Sequence, residues 1–139
     1  MTWHKSFSAR KQIGDVLENR FSKEVHCSCG GAFRFIGDEY PGCPDFTCEY
    51  CGLLVDIKYS PQAERTGNLS ISSRPWNGYP EDLIIVTSIN FGWVGQVKRL
   101  ITPLNNRPLQ STHRERATSF VLIPLKNFVP LNSLGFHID

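Results

Sequence analysis

The step Cys48-Glu-Tyr-Cys51-Gly52 constrains the fold of this chain more than any other feature, because it sits between two strand-like arms, "DFTC" and "LLVDIKYS". Cys-x-x-Cys followed by glycine is a metal-knuckle signal. Glycine lets the backbone turn so that its amides face sulfur. A second half-site, "CSCGG", supplies Cys27 and Cys29. All five cysteines of the 139-residue chain lie between Cys27 and Cys51, which argues for metal over a disulfide framework. Four thiolates from Cys27, Cys29, Cys48 and Cys51 would make a closed structural zinc site. Cys43 is the spare and can replace one ligand, and His26 is a further candidate. The plainer reading is five free thiols. A redox role fits poorly, because the motif lies at a hairpin turn and not at a helix N-terminus. Zinc would pin the start of the first strand to the hairpin tip and add folding energy directly to a small core.

The hairpin holds a second chemistry. Side chains alternate along a strand, so Leu53, Val55 and Ile57 share one face while Leu54, Asp56 and Lys58 share the other. With Glu49 to Gly52 as the turn, an antiparallel register pairs Cys48 with Leu53 and Asp45 with Asp56. Opposed residues have Cβ atoms about 4.5–5.5 Å apart. Two carboxylates at that separation repel each other unless a cation lies between them. Magnesium wants such oxygen ligands and keeps several waters. Pro44 fits the start of the first arm, since it cannot donate to a ladder. The alternative is a pair of exposed strand acids, one of them matched by Lys58.

Elsewhere the pattern predicts a helix over Ser8 to Lys23, with Ile13, Val16, Leu17 and Phe21 at helical spacing. Phe33 to Ile36 reads as a short strand. The run from Ser60 to Glu81 is turn-rich, with one helical turn near Pro61 to Arg65 and an Asn77-Gly78 turn. "DLIIVTS", "WVGQVKRLI" and "SFVLIPL" read as strands, and Thr102 to Thr118 as a polar, basic loop. One helix followed by five or six strands predicts an α/β or α+β fold with a mixed sheet, residues 1–139 forming a single domain. Zinc-knuckle elements occupy 26–31 and 43–52.

Pro44-Asp45 followed by Asp56-Ile57-Lys58 at the end of a hairpin resembles the PD-(D/E)xK nuclease superfamily. Upstream, "GDVLENRF" places Glu18 four residues after Gly14 on the first helix, similar to the Holliday-junction-resolvase and Mrr-like branches. The resemblance covers about Gly14 to Ser60, with "DLIIV" as the next core strand. It implies a restriction-endonuclease-like mixed sheet flanked by helices and metal-dependent hydrolysis of phosphodiesters in DNA. It makes Asp45 and Asp56 ligands of a catalytic Mg²⁺ or Mn²⁺, Glu18 an auxiliary ligand, and Lys58 the residue that orients or activates the attacking water. Metal and lysine would neutralise charge in the transition state. The chain departs from the family pattern in three ways. Asp stands where Glu is commoner before x-Lys. A cysteine pair occupies the hairpin turn. No second helix follows Lys58, which leaves the covering of the sheet's far side open.

Net charge is only +2, but its distribution is uneven. Lys98 to Lys126 holds six basic residues and one acid, a face suited to a polyanion such as duplex or branched DNA. Arg74, Arg99, Arg107, Arg114 and Arg116 are candidates for phosphate contact. Trp76, Tyr79 and Trp93 could stack on bases or line a groove, and the favoured reading is that they are packing aromatics. No apolar run is long enough to span a membrane and the N-terminus lacks a signal-peptide core, so an intracellular (cytoplasmic) location is expected. Cutting both strands of a duplex needs two sites, which predicts a homodimer. The competing functions are a non-catalytic zinc-ribbon module that binds nucleic acid or protein, and a pseudo-nuclease adaptor.

Overall fold

The computed structural model describes residues 2–108 and 119–139. The chain opens with helix α1 (Thr2–Glu24) and runs through short strands β1 (Val25–His26), β2 (Phe33–Phe35), β3 (Phe46–Cys48) and β4 (Leu54–Ile57). Helix α2 (Ala63–Thr66), strand β5 (Asn68–Ser72) and helix α3 (Ser73–Gly78) lead to the long hairpin of β6 (Ile84–Ile89) and β7 (Gly92–Val97). Strands β8 (Asn105–Pro108), β9 (Ser119–Pro124), β10 (Val129–Pro130) and β11 (His137–Ile138) complete the fold.

A six-stranded sheet in the order β10-β7-β6-β4-β3-β2 forms the centre. Its pairs are antiparallel except β4 with β6, which run parallel. Parallel neighbours cannot be joined by a tight turn. The chain therefore leaves β4, builds α2, β5 and α3, and returns to β6. The fold is thus mixed α+β, with a mostly antiparallel sheet.

Period-two alternation divides the sheet's two faces. Val55, Ile57, Ile84 and Val86 pack with Leu17 and Phe21 of α1. Phe21 is fully buried, with its ring centroid 5.0 Å from Phe33, 5.1 Å from Phe46 and 5.7 Å from Trp93. Burying a side chain of this kind contributes roughly 1.5–3 kcal/mol, and it fixes the face of α1 that meets the sheet. Leu54 and Ile85 point the other way, into a second core with Leu69, Ile71, Trp76, Tyr79, Val121 and Ile123.

That second core answers the question of what covers the far side. A three-stranded antiparallel sheet, β5-β9-β8, lies there together with α3. The structure departs from the sequence expectations at several points. The Ser60–Glu81 segment contains β5 and α3 as well as the expected helical turn, and the stretch read as a loop from Thr102 contains β8, paired along Phe120 and Val121 of β9. The helix also begins earlier than expected, at Thr2. The remainder of the expected loop, with Arg114 and Arg116, lies outside the described residues. No helix among the described residues is long and apolar enough to cross a membrane.

Candidate active site and cysteine cluster

The hairpin register is the one its alternation predicts. Phe46 pairs with Val55 and Thr47 with Leu54, and Cys48 N–H donates to the Leu53 carbonyl at 2.8 Å. One step further along, Asp45 stands across from Asp56. There the ladder passes through side chains. Asp45 N–H donates to Asp56 Oδ1 at 3.2 Å, and Ile57 N–H donates to Asp45 Oδ2 at 2.8 Å.

Asp56 is 2% exposed. Its Oδ2 accepts two charged or polar donors, Lys58 Nζ at 3.1 Å and the Tyr79 hydroxyl at 2.7 Å. Lys58 also lies over the Tyr79 ring, 5.7 Å from its centroid. Tyr79 is held in turn by Lys98, whose Nζ donates to the Tyr79 carbonyl at 2.7 Å and lies 5.3 Å from the Trp76 ring centroid. Lys98 is buried, so it is no part of a solvated basic face, where its sequence position had placed it. Arg74 and Arg99 are exposed.

The electrostatics are those of crowded carboxylates. Burial and the Asp56 charge push the Asp45 carboxyl up from 3.8 to about 7, with Glu18 adding to the effect and the Ile57 N–H opposing it. Burial raises the half-buried Glu18, and Asp15 and Asp56 raise it further, while Lys58 pulls it down. Lys58 resists deprotonation: burial favours its neutral form, but Asp56 and Tyr79 outweigh that. Burial and the Asp56 charge likewise hold the Tyr79 hydroxyl protonated. Glu18 therefore feels Asp56, Lys58 and Asp45 across the end of β4, although it comes from α1 on the opposite core. Leu17 and Phe21 fix the helix face and leave Glu18 at its margin.

The cysteines gather more tightly. The sulfurs of Cys27, Cys29, Cys48 and Cys51 all lie within 4.8 Å of one another. Cys27 and Cys51 are 3.6 Å apart and Cys29 and Cys48 3.4 Å. Four thiolates at 2.3 Å from a tetrahedral ion would be about 3.8 Å apart, so the set is close to closed around a centre that can hold a metal ion such as zinc. A disulfide would bring sulfurs to about 2.05 Å. The N–H groups of Tyr50 and Cys51 point at the Cys48 sulfur at 3.4 and 3.5 Å. Burial opposes ionisation of Cys48, yet these two amides carry its thiol down to about 7. Glycine is required on the other half: a Cβ at Gly31 would stand 2.6 Å from the Cys48 sulfur and 2.7 Å from Tyr50 Cβ. His26 and Cys43 stand outside the cluster.

Among the described residues, the four cysteines are the sole group of three or more potential ligands so closely gathered. Glu18, Asp45 and Asp56 do not close to that distance as a trio. Tyr79 is the functional candidate that sequence reasoning missed. It was assigned to packing, and it does pack, but its hydroxyl reaches Asp56 across 23 residues of chain. No protein-family model matches the chain, and no curated protein matches it.

Proposed function

We propose that the chain is a metal-dependent endonuclease of the PD-(D/E)xK type, with a restriction-endonuclease-like core and a structural zinc ion on the cysteine cluster. One observation carries the reading. The register puts Asp45 opposite Asp56, and Lys58 follows two residues on at 3.1 Å from Asp56, so two acids and a lysine meet at the end of one hairpin. A zinc-binding module has no need of that set. The position of α1 supports it, since the charges of Asp56 and Lys58 near the end of β4 also act on Glu18 of that helix.

The donor set fits a hard divalent cation. Asp45 and Asp56 supply carboxylate oxygens side by side, and burial, followed by the Asp56 charge, raises the Asp45 carboxyl to about 7. Mg²⁺ is commonly held by one or two carboxylates and several waters, which suits direct ligation by Asp45 and Asp56 with Glu18 reaching through water. When bound, such an ion polarises a phosphoryl oxygen and lowers the pKa of coordinated water. Lys58 stays cationic and stands where it can orient the attacking water and offset phosphoryl charge. Tyr79 fixes the Asp56 carboxylate, and Lys98 fixes the Tyr79 backbone. A two-fold dimer would supply the second site needed to cut both strands. The experiment is Mg²⁺- or Mn²⁺-dependent nicking of plasmid, with EDTA and Asp56→Asn controls.

A second reading has its own observation. Asp56 already accepts from three donors and is almost inaccessible. A centre so well satisfied also suits a pseudo-nuclease that keeps the fold and binds without cutting. Oligonucleotide binding without turnover in any divalent metal would select it.

A further inference from the structure

We propose that the groove between α1 and the tip of the β6–β7 hairpin is a subsite for an unstacked nucleobase, next to the phosphate to be cut. The inference rests on the endonuclease reading and specifies its substrate class: DNA with an unpaired base beside the scissile position.

The hairpin tip is the first ground. Asn90 and Phe91 have φ of 50° and 65°, the pattern of a two-residue type I′ turn. Glycine is the usual second residue of such a turn. A phenylalanine in the left-handed region is strained, because its Cβ crowds the backbone. Here that ring is 89% exposed and belongs to neither core. Two clamps hold the tip: Glu64 of α2 accepts from Asn90 N–H at 2.7 Å, and Arg20 of α1 donates to the Phe91 carbonyl at 3.1 Å. Arg20 is itself fixed, paired with Glu24 at 2.8 Å and lying over the Trp93 ring. A strained residue whose backbone is held on both sides and whose ring is displayed to solvent points to a role in binding.

The groove beneath that ring is the second ground. It measures about 640 Å³, and Ile13 and Val16 of α1, Tyr59, Pro61 and Phe91 give it apolar and aromatic walls. Ser60, Ser88 and Asn90 add polar edges. This is the make-up of a small-molecule site, apolar with a few polar groups. Its charge is balanced. Arg20 is neutralised by Glu24, and Glu64 is the acid opposite. The lining therefore suits an uncharged heteroaromatic ring better than a phosphate.

Position is the third. Tyr59 follows Lys58 directly, so their Cα atoms are about 3.8 Å apart. Leu17, which also lines the groove, precedes Glu18. The groove thus adjoins the candidate centre along the chain, just past β4 and on α1, and a phosphate at that centre would have its neighbouring base within reach of Tyr59 and Phe91. Stacking on an aromatic side chain holds an unpaired base whatever its sequence. In an intact duplex the base must first leave its stack, which opposes binding, so branched or frayed substrates should be preferred.

The test uses the full chain and branched oligonucleotides carrying 2-aminopurine or an abasic site at the unpaired position, with Ca²⁺ present to limit turnover. Wild type should quench the 2-aminopurine. Phe91→Gly should weaken binding about tenfold on the base-containing branch, leave the abasic branch unchanged, and melt no lower than wild type, since the turn strain is relieved. Phe91→Trp should restore binding. Equal affinity of Phe91→Gly and wild type, or an equal loss on the abasic branch, overturns the proposal. So does light scattering in which Phe91→Gly dissociates a wild-type dimer without altering binding of the base, because the groove is then a contact between copies. Base-dependent binding by a wild type that cleaves nothing in Mg²⁺ or Mn²⁺ upholds the groove and defeats the endonuclease reading alone.

Discussion

The hydroxyl of Tyr79 donates to Oδ2 of Asp56 at 2.7 Å, the same oxygen that Lys58 approaches to 3.1 Å. One buried carboxylate oxygen is thus shared by a neutral donor and a cation. Tyr79→Phe keeps the ring and deletes the bond. A hydrogen bond to a charged group contributes about 1.5–3 kcal/mol, and urea denaturation should show a loss of that size. Cleavage should slow about tenfold, with Asp56 held only by Lys58 and the Asp45 N–H. Unchanged stability would mean that the hydroxyl does not hold the carboxylate.

Asp45 gives the protein an unusual pH response. Its carboxyl is raised from 3.8 to about 7 in the fold, chiefly by burial and then by Asp56. The folded protein therefore holds a proton that the unfolded chain has already lost between those values. Stability from this group is present below about pH 4 and is lost as pH rises through 7. Asp45→Asn, in chelator, should be more stable than wild type by on the order of 1–3 kcal/mol at pH 8, with the difference fading toward pH 4. Added Mg²⁺ should stabilise wild type and not the variant. Denaturant midpoints across pH 4 to 8 check this.

The cysteine cluster should hold one zinc ion per chain. Elemental analysis of protein purified without chelator would show it. Cys51→Ser removes one thiolate, and Gly31→Ala drives a methyl group into the Cys48 sulfur. Each should lower thermal stability and zinc content together. Protein that carries no zinc, or that melts unchanged after chelation, would refute the structural role.

The hairpin was legible in the sequence because alternation and a four-residue turn leave a single register that keeps Val55 and Ile57 in the core. Asp45, Asp56, Lys58, Cys48 and Cys51 followed from it, and the Cys-x-Cys-Gly-Gly step supplied Cys27 and Cys29. The main helix was legible through Leu17 and Phe21. The rest depends on contacts distant in sequence. Strand β5 offers two inward apolar residues, Leu69 and Ile71, among serines, and reads as a strand because β9 lies beside it. Strand β8 is polar and ends at Pro108, and it too is defined by β9. Lys98 looked like part of a basic face and is buried because the Tyr79 carbonyl and the Trp76 ring receive it. Tyr79 itself carries no local motif.

The central claim is most directly tested by single-turnover cleavage of branched and duplex DNA in Mg²⁺, comparing wild type with Asp56→Asn and Lys58→Ala. Wild type should cleave, EDTA should abolish the activity, and each variant should be slower by about 100-fold or more while keeping its zinc and its fold. No metal-dependent cleavage by wild type, or Asp56→Asn cleaving as fast as wild type, would contradict the assignment of this centre.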